Sequence, residues 1–522
     1  MKAAKRTSLR GRLALGLNGL AMSLGGFGSG QSGYDAARPS TRRTRGWKPG
    51  TGGPAADILP GLEELRGRSR DLDRNNAITR GAASTKVNGA IGAGLKLRPM
   101  LDRKVLGLSD EEAVALQYRL EFEWEIFERE ADFTGQLHLR DLERVGFRSA
   151  LVSGDIGVVR RYRKRPGEIY GTRVLLVEAD RIGNPNRRMD SATLQGGIEL
   201  SADGELVAAN VADRHPGEMS TAALRWERIP LRGPASGLRQ FLLVAQVERP
   251  GQVRGVPLFA VVMEDLKQLG DYDSAELKAA LNDAFLFAFE ETPTETDDEG
   301  NPIITRGDGE TDATGELTLN DLTITTLPPG SKVNVKKPER PNAGYGAFVE
   351  AFLQKVGAGL DIPYEVLVKR FNSSFSASRG ALEVAYKAAM IEQDWFVRQF
   401  LDPIREWQFT EMVASGRFSA PGFFDDPIKR AAWLGRMWVG PTRIQINPQV
   451  EANADDTDLK NGVKTREQVM TERTGGDFDT KSAQWNREND VVGKPGAAPA
   501  APTDPTQGNG PDPTPPQKGP QK

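Results

Sequence analysis

The sequence contains no cysteine, which excludes disulfides, thiolate metal sites and cysteine nucleophiles and leaves an oxidising compartment without support. A reducing cytosol is the simpler setting. Histidine is nearly as scarce. Only His138 and His215 occur, in unrelated segments and without the spaced partners that zinc or a nucleophilic triad requires, so each reads as structural or surface. No Gly-x-x-x-x-Gly-Lys-Ser/Thr loop is present, and no Gly-x-Gly-x-x-Gly lies between a strand and a helix. Nothing strand-like precedes the cluster Gly25, Gly26, Gly28 and Gly30. Apolar runs of about 18 residues are missing too, so no transmembrane helix and no membrane partner are expected. The shorter run Leu13 to Leu24, behind Lys2, Lys5, Arg6, Arg10 and Arg12, is interrupted by Gly16, Asn18 and Gly19 and has no small-x-small cleavage pattern. It is read as part of an arm, not as a signal peptide. With no catalytic constellation, the chain is expected to bind no cofactor or catalytic metal and not to be an enzyme.

What is present is length and uneven charge. At 522 residues the chain exceeds what one hydrophobic core serves, which predicts two to four sub-structures. The net charge of −2 averages a basic N-terminal arm against an acidic middle. Residues 1–58 are rich in Gly, Ser, Arg and Pro. Arg38, Arg42, Arg43, Arg45 and Lys48 there are accompanied by no acid between them, the composition of a mobile arm. Trp47 is the exception, since a lone Trp needs a hydrophobic pocket to bury its ring. In the middle, Glu290 to Glu316 holds ten acids against one base, Arg306, and too little apolar area for a core of its own. It predicts a surface loop or projecting lobe. Asp297, Asp298 and Glu299 are consecutive carboxylates without the convergence a cation site needs, and read as solvated.

Periodicity places the rest. Helical spacing runs from Pro60 to Leu97, closing at Gly92 and Gly94, and again from Ser109, an N-cap ahead of Asp110, Glu111 and Glu112, to Glu130. A further helix is expected over 141–155. Between Ile156 and Val247, short apolar or alternating runs separated by turns predict a β-rich unit of mixed connections. Helix returns from Pro257 to about Phe289, bent near Gly270. A strand-like piece follows over 317–335, and then a helix from Tyr345 to Gly359. Residues 361–378 are polar and irregular. A long helix from Arg379 should kink or restart at Pro403 and run on to Val413. Short helices extend to about Glu488, and the Pro-, Ala- and Gly-rich end from Gly493 is disordered on composition.

Four segments in order resemble the lambda-type family of phage portal proteins. They are Leu65-Arg66-Gly67-Arg68-Ser69-Arg70-Asp71-Leu72 with Arg74-Asn75-Asn76 and Ile91-Gly92-Ala93-Gly94-Leu95; Arg249 to Leu258; Gly359 to Glu365 with Ser373, Ser374, Ser376, Ser378 and Arg379; and Trp438-Val439-Gly440-Pro441 to Asn447-Pro448 with Asn461 to Arg466. Two departures are Asn447, where the family more often has an acid before the proline, and Phe371-Asn372-Ser373-Ser374-Phe375 in place of an Asp-Phe-Ser type run.

The resemblance implies an α+β, multi-part portal fold in a ring, usually of twelve subunits, docked at one capsid vertex. Its parts would be a wing over 59–255 behind the arm, stem helices at 256–289 and 339–360, and a clip at 290–338. A tunnel loop at 361–378, an inner-wall helix at 379–415, a C-terminal wing and crown at 416–490 and a tail at 491–522 would follow. It implies a virion protein assembled in the host cytoplasm, serving DNA packaging and ejection. Its partners would be further copies of itself, the terminase large subunit, head-completion and connector proteins, major capsid and scaffold proteins, and duplex DNA. Lys369, Arg370, Arg379 and Lys387 are the candidates for transient phosphate contact, with solvent exposure or pairing to neighbouring subunits as the open alternative. Glu295, Asp297, Asp298, Glu299, Asp308, Glu310 and Asp312 are the candidates for docking terminase and connectors. Two rival readings are a capsid or scaffold-associated protein that forms no conduit, and a DNA-processing enzyme with an unusual site.

Overall fold

The computed structural model describes residues 46–47, 49–219, 222–284, 289–290, 325–326, 344–372, 374–443, 447–476 and 478–492. The predicted acidic lobe, most of the basic arm and the C-terminal tail lie outside them. Helix α1 (Pro54–Ile58) and a 3-10 turn at Leu59–Gly61 lead into α2 (Leu62–Asn75) and α3 (Ala77–Ala90). The periodicity from Pro60 onward is therefore not one helix. Asn76 is extended, with φ −116° and ψ 122°, and its side chain accepts from the Ile78 and Thr79 amides. It ends one helix and caps the next in a single residue, as short polar side chains do. Beyond the turn at Gly92 and Gly94 the expected helix gives way to strand β1 (Lys96–Pro99). After α4 (Arg103–Leu106), α5 (Asp110–Glu130) starts in a full capping box between Ser109 and Glu112. Helix α6 (Leu139–Ser153) is capped by His138, whose ring accepts from the Arg140 amide.

The β-rich unit forms two sheets. In one, β3 (Thr172–Glu178), β2 (Asp155–Tyr162) and β8 (Phe241–Ala245) lie in that order; in the other, β4 (Leu194–Gln195), β5 (Ile198–Leu200), β6 (Leu206–Ala212) and β7 (Trp226–Pro230) follow sequence order. Every pairing within the two sheets is antiparallel, in place of the mixed connections expected. Helix α7 (Met263–Ala284) runs through Gly270 without the expected break, glycine in a helix interior being a cost of about 1 kcal/mol and not a stop. Two short strands, β9 (Phe289–Glu290) and β10 (Thr325–Thr326), pair in parallel. Helix α8 (Tyr345–Gly359) folds back antiparallel on α7: Tyr345 stacks on Tyr272, and Lys355 reaches Asp265 at 2.8 Å.

Polar residues 361–378 are more regular than expected, holding α9 (Tyr364–Val368) and the start of α10 (Phe375–Phe396). The long helix does not restart at Pro403. It widens one turn earlier into a π segment, Val397–Leu401, before α11 (Asp402–Ala414). Pro403 lacks an amide and its ring crowds the preceding turn, so the ladder is loosened upstream of it. There Phe396 and Phe400 stack 4.7 Å apart and enter the main core beside Phe147. Beyond α12 (Pro427–Trp433), strand β11 (Arg436–Val439) was not expected; it pairs with β1, placing Leu97 opposite Trp438. Helices α13 (Pro448–Lys460), α14 (Arg466–Thr474) and α15 (Phe478–Val492) complete the described chain.

One ionic joint ties these parts together. Asp155 is fully buried at the start of β2, its carboxylate accepting from Arg66 of α2 at 3.0 Å, from Arg254 at 2.7 and 2.8 Å, and from the Gly255 amide at 3.0 Å. Arg254 also donates to the Ile182 and Ala179 carbonyls. Burial alone would push the Asp155 carboxyl up, but Arg254 and Arg66 outweigh it and hold it below the usual range. Burial, with Arg254 close by, lowers Arg66 to about 10. The joint needs two bare backbones: a Cβ on Gly255 would stand 1.9 Å from the Gly154 carbonyl, and Gly154 has φ +89°. Replacing Asp155 by Asn leaves two buried guanidiniums uncompensated. Such a loss costs about 3 to 5 kcal/mol, and denaturant unfolding of D155N is expected to show it.

A second buried acid behaves in the opposite sense. Glu143 on α6 is fully buried; one oxygen accepts from the Leu95 amide at 2.8 Å, and the other, Oε1, has no partner among the described residues. Burial, aided by Glu128, pushes its carboxyl up to about 8. The folded chain thus binds a proton that the unfolded chain releases near its ordinary value of 4.5. The stability it contributes is fully present below that value and is lost as pH rises through about 8. E143Q mimics the protonated acid. It should match the native chain near pH 5 and exceed its stability by about 2 kcal/mol or more near pH 9, as read by urea midpoints at both values.

Candidate functional site

The polar connection between α8 and α10 is held by close backbone contacts. The Ile362 amide donates to the Gly357 carbonyl at 2.9 Å, and a Cβ on Gly357 would come within 2.7 Å of the Ile362 carbonyl. Asp361 turns the chain with φ 53°, Pro363 opens α9, and Lys369 closes it in a left-handed conformation at φ 57°. The Ser374 hydroxyl then caps α10 by accepting from the Ala377 amide. These turns fold the connection over the crossing of α3 and α10.

That crossing is close because its residues are small: a Cβ on Gly89 would lie 3.2 Å from that of Ala389. The Gln393 amide donates to the Ala90 carbonyl at 2.7 Å. Lys86, nearly buried, meets Glu392 at 2.5 Å. Between the helices, the α9 connection and Pro441 to Arg443 lies a groove of about 460 Å³. Ile362, Val366, Leu382, Ala385 and Ala389 give it an apolar floor. Four bases, Lys86, Lys369, Arg379 and Arg443, and four acids, Asp361, Glu383, Glu392 and Glu451, line it, so its formal charges cancel. Arg443 is paired with Glu383 at 2.6 Å.

Of the basic candidates, the structure brings Lys369 and Arg379 to this groove. Arg370 is exposed beside it, its amide bonded to the Glu365 carbonyl at 3.0 Å, and Lys387 is exposed elsewhere on α10. The acidic candidates Glu295, Asp297, Asp298, Glu299, Asp308, Glu310 and Asp312 lie outside the described residues. The groove's other charged residues escaped sequence reasoning. Lys86 and Glu392 are 306 residues apart, and neither carries a local signal beyond being charged on a helix face.

His215 also has company that spacing did not reveal. Its Nε2 stands 3.8 Å from Glu178 and 3.9 Å from Asp180, a three-ligand grouping of the kind that holds cations. A cation is already there. Arg70 donates to Asp180 at 2.7 and 2.9 Å and to Glu178 at 2.8 Å. Burial would raise Asp180, but the Arg70 hydrogen bonds and charge outweigh it and hold that carboxyl below its ordinary range. The grouping is therefore an ion-pair cluster that fastens α2 to the end of β3.

Residues 40–393 match the family model described as phage portal protein, lambda family. Portal protein B of Escherichia phage lambda is 24% identical over 491 residues, covering 89% of each chain. The portal protein of Escherichia phage N15 is 25% identical over 474 residues, covering 85% of this chain and 87% of its own. Among solved structures, a chain from the neck of a native gene transfer agent particle computed with C12 symmetry matches 77% of this chain and 92% of its own, at 11% identity and TM-score 0.38. A chain from the virion of a native gene transfer agent particle matches 81% and 95%, at 13% identity and TM-score 0.39.

The buried half of the Lys86–Glu392 pair makes the groove sensitive to single changes. Truncating Glu392 to Ala strands the Lys86 ammonium in an apolar surround, and about 3 kcal/mol of stability should be lost. The double variant K86M/E392M should recover most of it in chemical denaturation.

Proposed function

The chain belongs to the lambda family of phage portal proteins, structural components of the virion, and from that premise we propose that its copies close into a ring of about twelve at one capsid vertex, through which DNA is packaged and ejected. The observation that carries this reading is the antiparallel pair α7 and α8. Leu277, Leu281 and Phe348 stand exposed on it in a single chain, as neighbours in a ring would require. In this reading the pair is the stem, 290–338 the clip at its far end, and 361–378 the loop facing the channel. Assembly takes place in the host cytoplasm, with scaffold and major capsid proteins surrounding the ring.

A conduit must touch DNA without holding it. Unbalanced Lys and Arg contacts repeated around a ring would multiply into a trap, because each neutralised phosphate adds to affinity. The charge-balanced groove beside Lys369 and Arg379 suits passage, and Lys369, Arg370, Arg379 and Lys387 supply brief phosphate contacts. The acidic residues Glu295, Asp297, Asp298, Glu299, Asp308, Glu310 and Asp312 present a docking surface to the terminase large subunit and later to head-completion and connector proteins. The chain itself performs no catalysis; ATP hydrolysis belongs to the terminase.

Electron micrographs of the purified protein should show hollow rings; closed shells or persistent single chains would favour the non-conduit capsid reading instead. Deleting 290–316 is expected to leave rings intact while abolishing terminase capture in a pull-down. Loss of rings in that variant would remove the lobe from the exposed end. K369Q/R379Q should keep the ring and change packaged DNA yield by no more than about tenfold, as fits transient contacts of low individual energy.

A further inference from the structure

Arg405, in the first turn of α11, is 2% exposed, yet its Nε and Nη2 have no hydrogen-bond partner among the described residues. Buried guanidiniums are rarely left this way, because an unpaired buried charge costs far more than a paired one. Arg405 lines a pocket of about 460 Å³ that also takes in Arg232, Arg239, Arg398 and Arg436, against only Asp402 and Glu406. Both acids are already engaged. Asp402 is clasped by Arg436 through two hydrogen bonds and accepts from Trp438 Nε1 at 2.9 Å, and Glu406 is paired with Arg430 at 2.7 Å. Arg398 leans on Asp394 at 2.9 Å. No carboxylate among the described residues pairs with Arg232, Arg239 or Arg405. An isolated antiparallel bridge sets Arg232 and Arg239 side by side at the rim. This pocket thus differs from the balanced groove: it holds surplus positive charge with a buried, unmet donor set at its base.

We propose that this pocket is an oxyanion site, taking one phosphate-type or carboxylate group whose oxygens satisfy the Arg405 fork while Arg232 and Arg239 close over it. The chemistry follows from the donors. A planar guanidinium binds two oxygens of one anion in parallel, and charge-assisted bonds of this kind are strongest where water is excluded. Burial, with Arg436 nearby, pushes Arg405 down to about 9, which an arriving anion would reverse. Two sources can supply the group: free phosphate, or an acidic side chain from a second copy of this chain, the latter resting on the ring reading above.

The test is thermal unfolding of the full chain in millimolar inorganic phosphate against chloride at equal ionic strength, with calorimetric titration. It is run on assembled protein and on chains diluted to the monomer, as confirmed by ultracentrifugation. We expect saturable stabilisation with one phosphate per chain, absent in R405M and weakened about tenfold in R239M. R239M keeps the test decisive if R405M does not fold. Response in the assembled protein identifies free phosphate as the source. Response confined to the monomer identifies a neighbour's carboxylate, and R405M should then also weaken assembly. Absence of any phosphate response in both states, or a response unchanged in R405M and R239M, would overturn the proposal.

Discussion

The Asp155 carboxylate is the point on which the other parts depend. It stands where α6 ends and β2 begins, and it draws in Arg66 from the first long helix and Arg254 from the segment that leads to α7. Removing so many charges from water is costly, and the cost is offset only because every oxygen is met by a well-placed donor. The result specifies geometry more than it adds stability. With Arg254 fixed to Asp155, Ile182 and Ala179, the direction in which α7 leaves the β-rich unit is set. In the proposed ring, that direction would decide where the α7–α8 pair stands relative to the β-rich unit.

The same contrast between satisfied and unsatisfied charge distinguishes the two basic regions. At the groove between α3 and α10, bases and acids balance, and the buried Lys86 has Glu392. At the pocket under the β7–β8 connection, the acids are consumed by Arg436 and Arg430, and the Arg405 Nε and Nη2 remain unmet among the described residues. Balanced walls favour passage of a polyanion, whereas a buried unmet guanidinium favours retention of one anion. The π segment at Val397–Leu401 lies between them: α10 before it lines the groove, and α11 after it carries Arg405 into the pocket.

Much of the helical framework was legible beforehand. The cap at Ser109, the limits Tyr345 and Gly359, and the apolar stripe of the long helix are local signals, set by hydrogen bonds and periodicity within a few residues. The lambda-type segments were legible as well, and the structure gives them a physical reason: Arg66 of the first and Arg254 and Gly255 of the second meet at Asp155, while the turn of the first packs on Pro441 of the fourth. The pairing of β1 with β11 was not legible, because Lys96–Pro99 has no strand character apart from the partner that arrives some 340 residues later.

Sequence alone determined the exclusions, since the absence of cysteine, phosphate loops and long apolar runs removes whole classes of chemistry at once. Four segments in order carried the resemblance to the family, and capping and periodicity, which act over short distances, placed most of the helices. Only the tertiary structure decided which charges are buried and whether each finds a partner. Lys86 with Glu392, His215 with Glu178 and Asp180, and Arg405 with no carboxylate partner among the described residues are outcomes of long-range packing. The energy of a buried charge depends on what the fold places within a few ångströms of it, which no local pattern encodes.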